Sequence, residues 1–344
     1  MNEWDKFLCL YSDANFYQST VRIRKRTALG YQNYILGVHE GKKLLGGGVL
    51  LGRRGEFWMA YGPLLDFDNI ELLTFFLEGV KLFAKQRGIA KIEFFPRVIH
   101  RLRNARLELI EERDLTNLIE TFRQAGFTYT GDHVTYEPKA AQRVFVRDLT
   151  GVKDADELFA SYRKTLRARF RKTAGQVKVE ELKREQLPEL VALLDESDER
   201  HGISGRPLGY FQTVFDTAGD NVRFVVARNA DTGEAIAGTM FTVYGGEVMS
   251  WLSGMSRKYR DLIGRAYIQD YMMKWALKHH ILRINMMGID GKKANGMGML
   301  DYMVEFKSGF GGGIIEEYVG QFYLILSPAK WFLIRIKRKI GGFL

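Results

Sequence analysis

One lysine in this chain stands between an aromatic residue and a run of glycines. The stretch reads Val304-Glu305-Phe306-Lys307-Ser308-Gly309-Phe310-Gly311-Gly312-Gly313, with Glu317-Tyr318-Val319-Gly320 close behind. Glycine lets backbone N–H groups come close to a ligand and tolerates positive φ. Lysine adds a compact, movable positive charge. Together they suit holding an anion or polarising a carbonyl oxygen. The same residues could also be a solvated lysine ahead of a loop, so the rest of the chain has to decide.

A second chemical feature is Ser161–Lys172, SYRKTLRARFRK. Tyr162, Leu166 and Phe170 recur every four residues, the spacing of a buried helical stripe. Arg163, Arg167 and Arg171 recur at the same interval and form a ridge facing elsewhere, widened by Lys164, Arg169 and Lys172. Solvated faces ordinarily mix charge signs. A ridge of one sign is suited to phosphates. It carries no base-reading motif, so the expected contact is with phosphates or a nucleic-acid backbone.

These features need a scaffold. At 344 residues the chain exceeds one ordinary core, and two domains are expected. The net charge of +10 favours a polyanionic partner and says nothing about fold. Cys9 is the only cysteine, and the six histidines show no ligand spacing, so neither a disulfide framework nor a structural metal is expected. The first residues lack a basic segment followed by an apolar one, and no run approaches a membrane span. A cytoplasmic protein is expected.

Strand and helix patterns alternate. Gln32–Val38, Leu44–Leu51 and Glu56–Tyr61 read as strands, Asn69–Arg87 as an amphipathic helix capped by Asn69, and Ile89–Phe95 as the next strand. The order returns in Val222–Ala227, Ala235–Val243, Glu247–Ser253, the helix Arg265–His279 and the strand Leu282–Met286. Between them, Asp154–Thr173 and Gln186–His201 are predicted helices, and Pro207–Asp216 a short one. Repetition of element order indicates two similar α/β domains. The tail Lys330–Leu344 interleaves Lys330, Arg335, Lys337, Arg338 and Lys339 with Trp331, Phe332, Leu333, Ile334 and Ile336. It could pack on the first domain or lie on an anionic membrane surface.

The ordered boxes of the chain resemble those of the FemABX aminoacyltransferases, which build peptidoglycan side branches. The boxes are Phe16-Tyr17-Gln18-Ser19, Tyr61-Gly62-Pro63-Leu64, Phe94-Phe95-Pro96, Arg123-Gln124-Ala125-Gly126-Phe127, Val146-Arg147-Asp148-Leu149, Glu199-Arg200-His201-Gly202-Ile203 and Phe306-Lys307-Ser308-Gly309-Phe310-Gly311. The resemblance covers nearly the whole chain and looks like the short type without a coiled-coil arm. It implies two tandem GNAT-like (acyl-CoA N-acyltransferase-like) domains, an α/β (α+β) fold with mixed central sheets flanked by helices. Domain one would span 1–143, completed by 318–344, and domain two 144–317.

The resemblance also implies a reaction. An amine on the stem peptide of a peptidoglycan precursor, UDP-MurNAc-pentapeptide or its lipid-linked form, attacks the ester of an aminoacyl-tRNA. Because that ester is already activated, no cofactor, metal or nucleophilic side chain is required. Lys307, with Phe306 beside it, looks like the residue that stabilises the carbonyl oxygen or contacts the tRNA end. Arg206, Tyr210 and Ser204 look like the group that contacts the precursor's phosphates, and Lys25 like its partner in the first domain. Two departures stand out. Arg22 occupies a position often aromatic in the family. The strand ending in an acidic-aromatic pair reads Ile284-Asn285-Met286-Met287-Gly288, with Asp290 beyond it.

Three other readings are open. A CoA-dependent acetyltransferase would use Asp261-Leu262-Ile263-Gly264-Arg265-Ala266 as a diphosphate loop, but Asp261 repels that charge. A nucleic-acid-binding protein without activity would explain the charge and leave the ordered boxes unexplained. A divergent relative would use another acyl acceptor.

Overall fold

The structure, a computed structural model, describes residues 3–131, 139–202, 204–289 and 298–340. The chain divides into two compact units, one made of Met1–Leu102, Leu109–Gln142 and Glu316–Leu344, the other of Arg103–Glu108 and Arg143–Ile315.

The first part of the chain forms α1 (Glu3–Leu10), α2 (Thr20–Ala28), β1 (Gln32–Glu40), β2 (Lys43–Arg53), β3 (Glu56–Ala60), α3 (Ile70–Gln86), β4 (Lys91–Phe95), β5 (Ile99–Arg103), β6 (Leu109–Glu112), α4 (Thr116–Gln124) and β7 (Thr128–Tyr129). Then come β8 (Arg143–Asp148), α5 (Ala155–Ser161), α6 (Lys164–Lys172), β9 (Val177–Glu181), α7 (Leu187–His201), α8 (Leu208–Ala218), β10 (Val222–Asn229), β11 (Ala235–Tyr244), β12 (Glu247–Met255), α9 (Gly264–Lys278), β13 (Arg283–Gly288), α10 (Gly298–Ser308) and β14 (Ile314–Tyr318). The chain closes with β15 (Phe322–Ile325) and α11 (Pro328–Ile340).

The first sheet runs β1-β2-β3-β4-β15-β7. Its members pair antiparallel except β3 and β4, which are parallel and joined by α3. Parallel neighbours need a crossover, and α3 supplies it. Asn69 Oδ1 accepts from Leu72 N at 2.9 Å, capping the helix start. Leu73, Phe76, Leu77, Val80 and Ala84 are its buried stripe. They meet Phe57, Met59, Ile92, Phe94, Phe122 and Phe322 in one apolar core.

The second sheet carries β14-β8-β13-β12-β11-β10-β9. The pattern repeats: β9 to β12 are antiparallel neighbours, β12 and β13 are parallel around the crossover α9, and β13 returns antiparallel to β8. Phe145, Val225, Phe241, Met272, Met273, Ile284 and Phe310 lie in its core.

The predicted helix 154–173 is broken in the structure. Tyr162 and Arg163 are extended, with ψ of 149° and 143°, and they separate α5 from α6. The four-residue stripe remains buried even so. Tyr162 Oη donates to Asp270 Oδ1 at 2.9 Å, and Lys274 pairs with the same carboxylate at 2.8 Å. A buried phenol held by an α9 carboxylate outweighs one more turn of helix. Burial, then the Asp270 charge, pushes the Tyr162 pKa upward.

The boxes of the first unit prove architectural. Gln18 is buried, donates to Ala60 O at 2.7 Å and accepts from Val49 N at 2.6 Å, so one amide bridges β2 and β3. Ser19 Oγ caps α2 by accepting from Arg22 N at 3.1 Å. Arg22, where the family often has an aromatic, is buried with its guanidinium 4.4 Å above the Tyr17 ring and donates to Tyr17 O at 2.8 Å. The planar cation occupies an aromatic's place by stacking.

Candidate active site

Lys307 lies in the last turn of α10, and only 6 % of its surface is exposed. It is therefore not the solvated lysine that its sequence surroundings also allowed. Its ammonium donates to Met287 O at 2.8 Å and to Gly288 O at 2.6 Å. Those carbonyls end β13, and their direction has a local cause. Met287 sits at φ 60°, and its N–H donates to Asn285 Oδ1 at 2.8 Å. Asn285 Nδ2 in turn donates to Glu247 Oε1 at 2.7 Å. The amide that departs from the expected acidic-aromatic pair thus shapes the turn that cradles the lysine. Asp290, the suggested replacement acid, lies outside the described residues.

Phe306 is half-buried beside Lys307, edge-on to Phe310 at 5.6 Å. The guanidinium of Arg265, from the first turn of α9, lies 5.2 Å above the Phe306 ring. Burial lowers the pKa of Arg265, and the nearby charge of Arg200 lowers it further. Sequence reasoning passed over Arg265 because its neighbours suggested a CoA loop. Gly264 in that loop is explained by packing, since a Cβ there would come within 2.9 Å of Ile236.

The glycine run meets protein, not open space. A Cβ on Gly311 would fall 1.9 Å from Ser161 O, one on Gly312 2.3 Å from the Arg147 guanidinium, and one on Gly313 2.5 Å from Phe145. Their φ values of 71°, 54° and 110° are left-handed or otherwise favoured only by glycine. The run therefore lets α10 dock at the break between α5 and α6. Arg163 N donates to Gly309 O at 2.9 Å, and the Tyr162 ring meets Phe310 edge-on at 5.3 Å. In this way the segment that carries Lys307 is tied to the start of the basic ridge.

Arg163, Lys164, Arg169, Arg171 and Lys172 are exposed and Arg167 is half-buried. Among the described residues none of these six forms an ion pair, although the protein makes many elsewhere. Arg147, half-buried at the same break, donates weakly to Ser161 Oγ at 3.3 Å, and burial pulls its pKa down.

The predicted precursor contacts are partly brought together. Arg206 and Tyr210, four residues apart, do not share a helix, because α8 begins only at Leu208 and Arg206 precedes its cap, Pro207. Proline at the cap holds the preceding residue extended. The pair still meets, with the Arg206 guanidinium 5.8 Å above the Tyr210 ring. Ser204 is exposed in the same loop. Lys25 lies on α2 in the first unit, fully buried, with its ammonium 5.4 Å above the Phe16 ring. Among the described residues no cluster of three or more His, Cys, Asp or Glu side chains could hold a metal. No helix among them is long and apolar enough to cross a membrane.

With this geometry in view, the sequence profile of the FemAB family matches residues 1–231 and 228–339. The chain belongs to the FemAB family. Among curated relatives, aminoacyltransferase FemA of Staphylococcus aureus (strain bovine RF122 / ET3-1) is 23% identical over 386 residues, covering 90% of each protein. FemA of strain MRSA252 matches at the same identity and coverage. Among solved structures, FemX superposes with a TM-score of 0.77 at 18% identity, over 96% of this chain and 97% of that one. A tandem GNAT protein from the clavulanic acid biosynthesis pathway superposes with a TM-score of 0.56 at 10% identity, over 94% and 95%. The fold of this FemAB protein is thus the tandem GNAT-like one, with mixed sheets and helical crossovers.

Proposed function

We propose that this FemAB protein transfers an aminoacyl group from aminoacyl-tRNA to an amine on the stem peptide of a peptidoglycan precursor. The amine attacks the ester carbonyl, a C–N bond forms, the ester C–O bond breaks, and the proton lost by the amine goes to the departing ribose oxygen. The observation that carries this reading is the tie between Lys307 and the basic ridge. The Lys307 charge is held by two fixed carbonyls, so it need not reorganise when negative charge develops on a nearby carbonyl oxygen. The unpaired ridge Arg163, Lys164, Arg167 and Arg171 begins where the Lys307 segment docks and suits the tRNA backbone.

In the same reading, Phe306 and Arg265 border the reacting ester. Arg206, Tyr210 and Ser204 bind the phosphates of the precursor. The tRNA ester supplies the activation, and no cofactor takes part. Residues 330–344 contact the anionic inner face of the cell membrane as a peripheral partner.

The test is incubation of the purified protein with a pool of charged tRNAs and a muropeptide precursor, followed by mass spectrometry. The expected product is heavier than the precursor by one amino-acid residue. Acetylation from acetyl-CoA in place of aminoacylation would overturn the reading.

A further inference from the structure

The first unit contains a cleft of about 1280 Å³ that has no part in the proposed chemistry. It is lined by the start of β1 (Tyr34), the β2–β3 turn (Arg53, Arg54), the end of α3 (Arg87) and one face of α11 (Lys330, Leu333, Ile334, Lys337). Five lining side chains are cationic and none is acidic. Among the described residues none of Arg53, Arg54, Arg87 and Lys337 forms an ion pair. Arg53 lies 4.9 Å above the Tyr31 ring and Arg87 5.2 Å above Tyr34, so both guanidiniums are held in place without being neutralised. Lys330 is partly committed, since it donates to Gly88 O at the end of α3. Arg54 has φ 54°, where Asn or Gly is the preferred residue for such a turn.

We infer that this cleft is a docking surface for an anionic phospholipid bilayer, with lipid phosphates entering the cleft and the exposed face of α11 resting among the upper acyl chains. This rests on the reading that the C-terminal segment meets such a membrane, and it adds the β2–β3 turn and the end of α3 as the phosphate-binding part. Two observations select the partner. The cleft's charge is of one sign, complementary to acidic headgroups. Beside it, Phe332 and Leu333 of α11 are 62 % and 57 % exposed, and Leu333 itself lines the cleft. Exposed aliphatic and aromatic side chains beside unpaired cations are the make-up of an interfacial helix. An RNA backbone satisfies the cations and leaves Leu333 in water. The cleft is also larger than ordinary small-molecule pockets, which suits several headgroups better than one ligand.

The test is sedimentation of the full chain with vesicles of pure phosphatidylcholine or of phosphatidylcholine with 30–40 % phosphatidylglycerol, a range of about one-third anionic lipid chosen to give a negative surface. Binding is expected to the anionic vesicles only and to weaken with salt. Arg53→Gln/Arg54→Gln/Arg87→Gln is expected to weaken it roughly 100-fold, at about fivefold per cation near the surface. Arg54→Gln/Lys337→Gln, which touches neither stacking ring, is expected to weaken it about 25-fold by the same measure. Both variants should retain aminoacyl transfer to a soluble precursor, which shows that they are folded. Loss of binding in Phe332→Ser/Leu333→Ser with none in the arginine variants overturns the cleft and leaves the tail reading standing. No binding by the unaltered protein overturns both. Arginine variants that bind vesicles normally but lose affinity for tRNA reassign the cleft to RNA.

Discussion

The two helical crossovers occupy the same place in two sheets of the same pattern, yet they are built differently. α3 has a side-chain cap at Asn69 and an acid in its first turn, and every residue it buries is apolar. α9 starts from Ile263 at φ 49° without a side-chain cap, carries Arg265 in its first turn, and buries Gln269 and Asp270 with its apolar residues. A cation at a helix start opposes the dipole, and a buried carboxylate needs partners. α9 meets that need through Tyr162, Lys274 and a hydrogen bond of 3.0 Å between Ser250 Oγ and Gln269. One crossover is therefore made for stability, and the other gives up stability to hold the break, the ridge and the Lys307 segment in register.

That contrast is open to attack by substitution. The largest effect is expected at Lys307. Lys307→Met should cut kcat/KM by about 100-fold or more, since one charge-stabilising donor contributes about 3 kcal/mol to the barrier. A folded variant with an unchanged rate removes Lys307 from the mechanism.

Next comes the α9 clasp. Tyr162→Phe should cost about 2 kcal/mol, the value of a hydrogen bond to a charged group. The raised Tyr162 pKa means that the neutral phenol is preferred in the folded state. Its contribution is full below the ordinary tyrosine pKa near 10 and is lost as pH rises above it. In urea melts the gap between the unaltered protein and Tyr162→Phe should narrow from pH 8 to about pH 10.5. A gap that stays constant contradicts the assigned shift.

Removing the ridge in Arg163→Gln/Arg167→Gln/Arg171→Gln should raise KM for aminoacyl-tRNA about tenfold and flatten the salt dependence by about one unit of slope per phosphate contact. An unaltered salt slope would remove the ridge from tRNA binding. The smallest effect belongs to α3. Asn69→Ala should lower stability by about 1 kcal/mol through loss of the cap, with no change in turnover. A fall in turnover would erase the distinction between the two crossovers.

Much of this architecture was legible in the residues. The period of Leu73, Phe76, Leu77, Val80 and Ala84 marks α3 because a single apolar face needs no information from afar. The alternation of hairpins and helices, and with it two similar α/β domains, was legible for the same reason, whereas the tandem GNAT-like fold was implied by the resemblance of the boxes. The helix across 154–173 was misread because the stripe of Tyr162, Leu166 and Phe170 has the right period on both sides of a break set by Asp270, more than 100 residues away. Arg265 was missed because nothing near it in sequence predicts that it stacks on Phe306. The short strands of the sheet edges and the helices α1 and α2 gave too little periodic signal to be read.

The sequence by itself determined the main strands and crossover helices of the two repeats, the concentration of positive charge, and the ordered boxes that mark the family, since these depend on local period, composition and order. Tertiary structure alone decided what the boxes do. Gln18 and Ser19 join strands and cap a helix, the glycines make room for the Ser161 backbone, and Asn285 turns two carbonyls toward Lys307. The Gln18 bridge, the glycine approach and the Lys307 cradle join residues far apart in the chain, while the Ser19 cap and the Asn285 turn act over two or three residues. A hydrogen bond or a close approach exists only once folding has set both partners at the right distance and angle.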